Sequence, residues 1–397
     1  MKAGSPAVAA RRVVMGAFES PTPLNRGVGI AKEFVPAQSF RLIGKEAPMR
    51  FNLTVPAVAL SLIGLATPAH SALSFSTFVS SSQLSTLLSN NATIGFSYAG
   101  DKFVGSVYFG TNNNQLYSTD LTGGGIQKFG APIPGFSGEI YVNASLGLGG
   151  YGPRDVFAGS EAVGAVYRFA HDGSTQAPFT TSGIVGGVRS IAFDPYGLYG
   201  NQMVVATNAG NVYTVSNSGV ASLLASVHED AEGLSFAPQG FGTYAAGTLF
   251  VASEGSGTLR AITPGGAVTN AVTGLPGAEM VSFVPLNLGS SGSSVEGFYA
   301  AAYPANIQKA DASQFTSFLG DAVITSETGH QVWDVHYNGS TFVVTQIGTF
   351  PAQPEDGIFV TADIIRQPVP EPQTYALMLA GLGVLGVVAR RKRVLER

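Results

Sequence analysis

A phrase of apolar pairs and glycine turns recurs along this chain at nearly constant spacing. It reads "NNQLYSTDLTGGGIQKF", "GAVYRFAHDGSTQAPF", "GNVYTVSNSGVASLL", "GTLRAITPGGAVTNAV" and "ANIQKADASQFTSFL". Its anchors Leu116, Val166, Val212, Leu259 and Ile307 lie 50, 46, 47 and 48 residues apart. A second phrase runs ahead of it in phase ("SVYFGT", "DVFAGS", "MVVATN", "LFVASE", "FYAAAY", then "FVVTQI"). A third comes earlier still ("GEIYVN", "RSIAFDP", "EGLSFAPQ", "EMVSFVP", "QVWDVHYN"). Each unit is therefore several short strands cut by Gly/Asn/Ser turns, the pattern of a four-stranded antiparallel blade. A blade cannot bury both faces alone, whereas radial packing against neighbours buries them all.

The expected fold is all-β, a six-bladed β-propeller over residues 73–365, with five or seven blades as the adjacent solutions. Five repeats span 93–327. A weaker sixth is expected from "QVWDVHYNGSTFVVTQIG" and "DGIFVTADII", with "LSFSTFVS" supplying the strand that closes the ring. Repeats of ~48 residues are long for a β-solenoid and usual for propeller blades.

Composition agrees. Hydrophobic residues are 45% and charged ones 12%, with 51 glycines, which is apolar enough to fold and rich enough in glycine for many tight turns. The net charge of −4 hides an asymmetry: eight of the basic residues precede Phe51 and five follow Val388. Between Leu73 and Arg366 stand 8 basic and 20 acidic residues, a balance of 8 − 20 = −12. Such a body repels phosphate backbones, so nucleic acid is not an expected partner. With no cysteine, disulfides, thiolate metal sites and cysteine nucleophiles are excluded.

Both ends carry addresses. From Met49, "MRFNLTVPAVALSLIGLATPAHSALSFS" gives a basic start, an apolar stretch from Leu53 to Ala66 and small residues, the order of a secretory signal peptide over 49–71. Ala69 and Ser71 suit positions −3 and −1, placing cleavage before Ala72. Residues 1–48 show no periodicity; they are expected to be a disordered extension or to precede a true start at Met49. At the other end, a linker (366–373) leads to an uncharged run from Thr374 to Ala389. As a helix that run covers about 24 Å against a hydrocarbon core of about 30 Å. It is expected to form a single transmembrane helix within 374–397. Arg390, Arg391, Lys392 and Arg393 follow and hold that end in the cytoplasm, leaving the body on the far side of the inner membrane.

The order Val369-Pro370-Glu371-Pro372, short apolar helix, basic cluster resembles the PEP-CTERM sorting signal of Gram-negative bacteria. That resemblance covers the last 29 residues. It implies recognition and processing by an exosortase-like membrane protease, then passage to the cell surface or extracellular polymer matrix, with polysaccharide as a candidate partner. The repeats resemble six-bladed propellers of the NHL and gluconolactonase-like type at the level of fold only.

Chemistry has few candidates. Just before the inner strand of each unit stand Glu139, Arg189, Glu232, Glu279 and Gln331. In a propeller these side chains ring the mouth of the channel, where Glu139, Glu232 and Glu279 could hold a divalent cation. "HEDAEG" (His228–Gly233) lacks the second histidine of a helical zinc motif. His330, Asp334 and His336 are expected to converge with it across the channel, and Trp333 offers either a sugar platform or core packing. No nucleophile elbow, phosphate loop or dinucleotide fingerprint occurs. The expectation is therefore a non-catalytic binding or structural propeller with no catalytic residue and no obligatory cofactor. The alternative is a metal-dependent hydrolase or lactonase using the channel.

Overall fold

The computed structural model describes residues 71–366. The extension, the signal segment up to residue 70, and the sorting tail from 367 lie outside the described residues. Among the described residues no helix is long and apolar enough to cross a membrane.

The chain opens with β1 (Ser76–Val79) and α1 (Ser81–Leu88). Four blades then follow in simple order. They are β2 (Thr93–Tyr98) to β5 (Gln127–Phe129) through β3 (Phe103–Val107) and β4 (Leu116–Thr119); and β6 (Ile140–Ala144) to β9 (Gln176–Thr180) through β7 (Val156–Ser160) and β8 (Val163–Phe169). Next come β10 (Val188–Phe193), β11 (Met203–Thr207), β12 (Asn211–Val215) and β13 (Ala221–Ser226), then β14 (Leu234–Phe236), β15 (Leu249–Ser253), β16 (Thr258–Ile262) and β17 (Val268–Thr273).

The last two blades interleave. β18 (Ala278–Phe283) is followed by the hairpin β19 (Gly297–Tyr303) and β20 (Asn306–Asp311), which leaves its own neighbourhood for the sixth sheet. β21 (Ala322–Ser326), β22 (Gln331–Tyr337) and β23 (Phe342–Thr349) return to complete the blade of β18, and β24 (Gln353–Val360) becomes the inner strand of the sixth. That blade has the order β24-β19-β20-β1, so "LSFSTFVS" does close the ring. Two sequence expectations change accordingly: "QVWDVHYN" is the third strand of blade five, not an inner strand, and Ile307 belongs to blade six.

The pairing registers explain the anchors. A bulge falls immediately after Val166, Val212 and Leu259 where the third strand meets the fourth, and the same bulge in blade five follows Val332. The hairpin of 297–311 is inserted ahead of it. Neighbouring inner strands β2, β6, β10, β14, β18 and β24 then contact one another in a closed circle.

Among the described residues six apolar clusters form the core. Between blades two and three, Tyr151, Phe157 and Phe193 meet edge to face. Between the last and first, Phe78 lies 5.0 Å from Phe103 and 4.9 Å from Tyr299. Tyrosines staple blade to blade: Tyr199 Oη donates to the Ile262 carbonyl (2.5 Å) and accepts from Leu249 N–H (3.0 Å). Tyr151, one repeat earlier, makes the same pair of bonds to Val215 and Met203. After β24 the short α2 (Ala362–Arg366) turns back. The buried Arg154 donates to the Ile364 carbonyl and lies over the Tyr98 ring.

Candidate functional site

Because every inner strand runs in the same sense, the residues that start these strands share one mouth of the channel. Glu139 immediately precedes β6, Arg189 is second in β10, Glu232 lies two residues ahead of β14, Glu279 is second in β18 and Glu355 is third in β24. The turns from second to third strands add Tyr108, Glu161, Asn208, Glu254, Tyr303 and Glu327, one from each blade.

Backbone contacts fix the key pair. Glu232 N–H donates to the Ala252 carbonyl (3.1 Å), and Gly233 N–H to the Glu279 carbonyl (2.8 Å). A Cβ at Gly233 would collide with the backbone of Met280 and Val281, so only glycine lets these two inner strands approach. Glu327 N–H donates to the Gly277 carbonyl (2.9 Å), bringing blade five's turn to the same edge.

Arg189 organises one half of the mouth. Its guanidinium meets Glu139, Glu161 (3.2 Å), Asp230 (3.3 Å) and Glu232 (2.5 Å). Tyr141 Oη donates to Glu139 (2.6 Å). Burial disfavours the Arg189 charge, yet Tyr141, Glu232 and Glu139 around it keep the group well above its ordinary value.

The other half has no such cation. Among the described residues Glu254, Glu279, Glu327 and Glu355 form no ion pair with a basic side chain. Gln353 Nε2 donates to Glu327 (2.6 Å) and Glu355 (2.9 Å), and a side-chain hydrogen bond joins Glu254 to Glu327. One carboxylate oxygen each from Glu232, Glu254 and Glu279 lie within 4.8 Å of one another, and so do those of Glu279, Glu327 and Glu355. Burial, then the Glu355 and Glu327 charges, push Glu279 well above the usual carboxylate range. Glu232 and Glu355 are raised by burial and neighbouring carboxylates, and Glu327 goes to about 6 by burial and then Glu254. Like charges held out of water cannot all ionise unless something positive joins them.

Of the residues expected from sequence, Glu232 and Glu279 come together. Glu139 sits against Arg189 and Tyr141 instead, and Gln331 opens β22, away from the inner strands. Glu254, Glu327 and Glu355 lie outside the positions that the repeat pattern marks. A signal for two of them exists: Ser-Glu recurs at the end of second strands, at Ser160-Glu161, Ser253-Glu254 and Ser326-Glu327.

Among the described residues no cluster of three or more potential ligands includes a histidine. His228 lies 3.4 Å from Ser226 Oγ, whereas His336 Nδ1 pairs with Asp321 (2.9 Å). Trp333 packs against the core between blades four and five. Asp334 is buried on β22, and burial followed by the Asp321 charge raises it to about 7, against the opposing pull of His336. A carboxyl with a folded value near 7 and an unfolded value near 3.9 keeps its stabilising proton at low pH and loses that stability as pH rises through about 4 to 7. Asp334→Asn is therefore expected to stabilise the protein at pH 8 by roughly 2–4 kcal/mol and to flatten its stability between pH 5 and 8, read by urea unfolding.

The opposite mouth is the more apolar, with Asn143, Ser235 and Ser282 among its lining residues. A cavity of about 220 Å³ there is lined by Phe193, Phe236, Phe283, Phe359, Pro195 and Ile364, so the chain leaves the propeller at this end. The repeated Phe-x-Pro at Phe193, Phe236 and Phe283 closes three inner strands.

Residues 368–393 match the PEP-CTERM protein-sorting motif, which contains Val369–Pro372 and the basic cluster Arg390–Arg393. The chain thus carries a signal for export, membrane-anchored sorting and processing by an exosortase, a membrane protease. No curated protein matches the chain. Solved structures with a similar fold include a putative gluconolactonase at 11% identity, covering 73% of this chain and 86% of that one with a TM-score of 0.47. A chain of a nidogen/laminin complex is 12% identical (67% and 84% covered, TM-score 0.45). Virginiamycin B lyase from Staphylococcus aureus is 12% identical (72% and 77% covered, TM-score 0.44).

Proposed function

We propose that this chain is a propeller displayed at the surface, or in the extracellular matrix, of a Gram-negative bacterium, and that it binds rather than catalyses, through the acidic mouth of its channel. The observation that carries this reading is the opposition of the two mouths. The chain exits beside Ile364 at the apolar mouth, and Pro370 lies four residues beyond Arg366, at most about 14 Å of extended chain. While the protein is anchored, the apolar end faces the membrane and the carboxylate ring faces outward, towards cations or neutral polymers such as extracellular polysaccharide.

The test is the identity of the mature ends. Cells producing the full chain should yield a surface or matrix form beginning near Ala72 and ending near Pro370–Pro372 by mass spectrometry. A variant ending at Arg366 should be exported yet absent from that fraction. Recovery of surface protein with an intact basic tail, or of a chain retaining residues before Leu53, would overturn the reading.

A second reading has its own support. Carboxyls raised by burial beside ionised ones in a shielded channel are the raw material of general acid–base chemistry. A hydrolase or lactonase would show turnover on a lactone panel, and that turnover would vanish in Glu279→Gln.

A further inference from the structure

We infer that the acidic mouth is a site for one hard divalent cation of the calcium class, seated on Glu279 with Glu232 and Glu254 on one side and Glu327 and Glu355 on the other. The inference rests on the reading of this mouth as the binding face and names its ligand.

Clustered acids alone do not make a site, since they occur widely as solvated surface. Two features set this cluster apart. Glu279 is 4% exposed, and its carboxylate has neither hydrogen bond nor ion pair among the described residues. Glu232 is 1% exposed; one of its oxygens meets Arg189, and Oε2 has no partner. Carboxyls crowded together out of water cannot ionise together, and a cation seated among them would supply the missing opposite charge.

The donor set selects the ion. All the donors are carboxylate oxygens, the hard ligands of calcium and magnesium, with no imidazole or thiolate for zinc or copper. Calcium binds oxygen at about 2.3–2.6 Å, so two of its ligands stand at most about 5 Å apart. The 4.8 Å limit within each carboxylate group meets that requirement. Magnesium needs near-octahedral oxygens about 4.2 Å apart across the ion, and five side chains from inner strands and hairpin turns of three blades suit the looser geometry of calcium better. Arg189, pinned by Glu139, Glu161 and Asp230, stays beside the site as a fixed counter-charge.

The test titrates the purified full chain, stripped with EDTA, with calcium chloride alone by calorimetry, and follows the thermal midpoint. One calcium per chain and a midpoint raised by several degrees at 1 mM calcium are expected, with magnesium at least ~10-fold weaker. Glu279→Gln should weaken calcium at least ~30-fold while leaving the metal-free midpoint equal to or above wild type, because a neutral amide of the same shape relieves the crowding of carboxylates around it. A residue serving only the fold would lower that midpoint. Glu229→Gln, whose parent pairs with Arg260 outside the cluster, should keep calcium affinity within about threefold. Absence of binding heat and of any midpoint shift would overturn the inference, as would calcium binding untouched by Glu279→Gln. The titration reads neither export nor processing, so its failure leaves the sorting experiment to judge the broader reading by itself.

Discussion

Replacing Arg189 with methionine is expected to destabilise the metal-free propeller by about 3–5 kcal/mol at pH 7.5, the range for removing one partner of a buried ion pair. The guanidinium, on blade three, touches four carboxylates from the blades on either side, and one of them, Glu232, is 1% exposed. Methionine keeps much of the volume and removes the only cation that these acids share among the described residues. The sign of the pH dependence follows from Glu232, which is raised by burial first and by Glu279 next. A carboxyl raised in the folded state loses its stability contribution as pH rises through the folded value. Without Arg189 that value rises further, so the loss should be larger at pH 8 than at pH 5.5. Arg168→Met, at a half-exposed pair with Asp155, should cost no more than about 1 kcal/mol. Urea unfolding in EDTA at the two pH values checks this, and a loss under 1 kcal/mol, or one independent of pH, would contradict the arrangement.

The propeller was readable because its period is local. Five of the six inner strands carry an acidic or basic residue at or near their start, three of them end in Phe-x-Pro, and the third strands of blades two, three and four carry the anchor just ahead of their bulge. The interleaving of the last two blades was not readable. "FYAAAY" and "ANIQKAD" have the pattern of second and third strands of any blade, and nothing in their own residues states that β19 pairs with β24 rather than β18. That choice is made by contacts more than 50 residues away along the chain, such as Phe298 against Phe359. The same mistake of phase placed Gln331 on the ring where Glu355 stands.

The site divides along the same line. Glu232 and Glu279 are legible because they stand at the start of inner strands, a position that the period marks. Glu254 and Glu327 lie one strand further on, in turns whose reach into the channel depends on how tightly Gly233 and Gly277 let the blades approach. Glu139 was expected as a ligand because sequence gives its position and not its partner. Arg189, 50 residues away, claims it together with Tyr141.

Starting the folded chain at Ser80 instead of Ala72 is expected to lower the thermal midpoint by roughly 10–20 °C, the equivalent of about 5 kcal/mol at a few degrees per kcal/mol. The deletion removes β1, which pairs Ser76, Thr77 and Val79 with Lys309, Gln308 and Ile307. It takes away the fully buried Val79, worth about 2 kcal/mol, and Phe78, whose ring meets those of Phe96, Phe103 and Tyr299, worth about 3 kcal/mol. It also bares β20 as an open edge, a template for aggregation. β1 supplies the outer strand of a sheet whose inner strand, β24, is the last strand among the described residues, so the two ends of the propeller hold each other. A chain beginning at Leu73 keeps the strand, the buried Leu73 side chain and its N–H bond to the Ile347 carbonyl, and should melt within about 2 °C of one beginning at Ala72. A peptide of residues 72–80 added in excess should recover part of the lost midpoint, because strand addition needs no covalent link. A truncated protein that melts at the parent temperature would mean that the ring closes without β1. A loss with no recovery from peptide would mean that the covalent link from β1 through α1, rather than the strand itself, holds the last blade to the first.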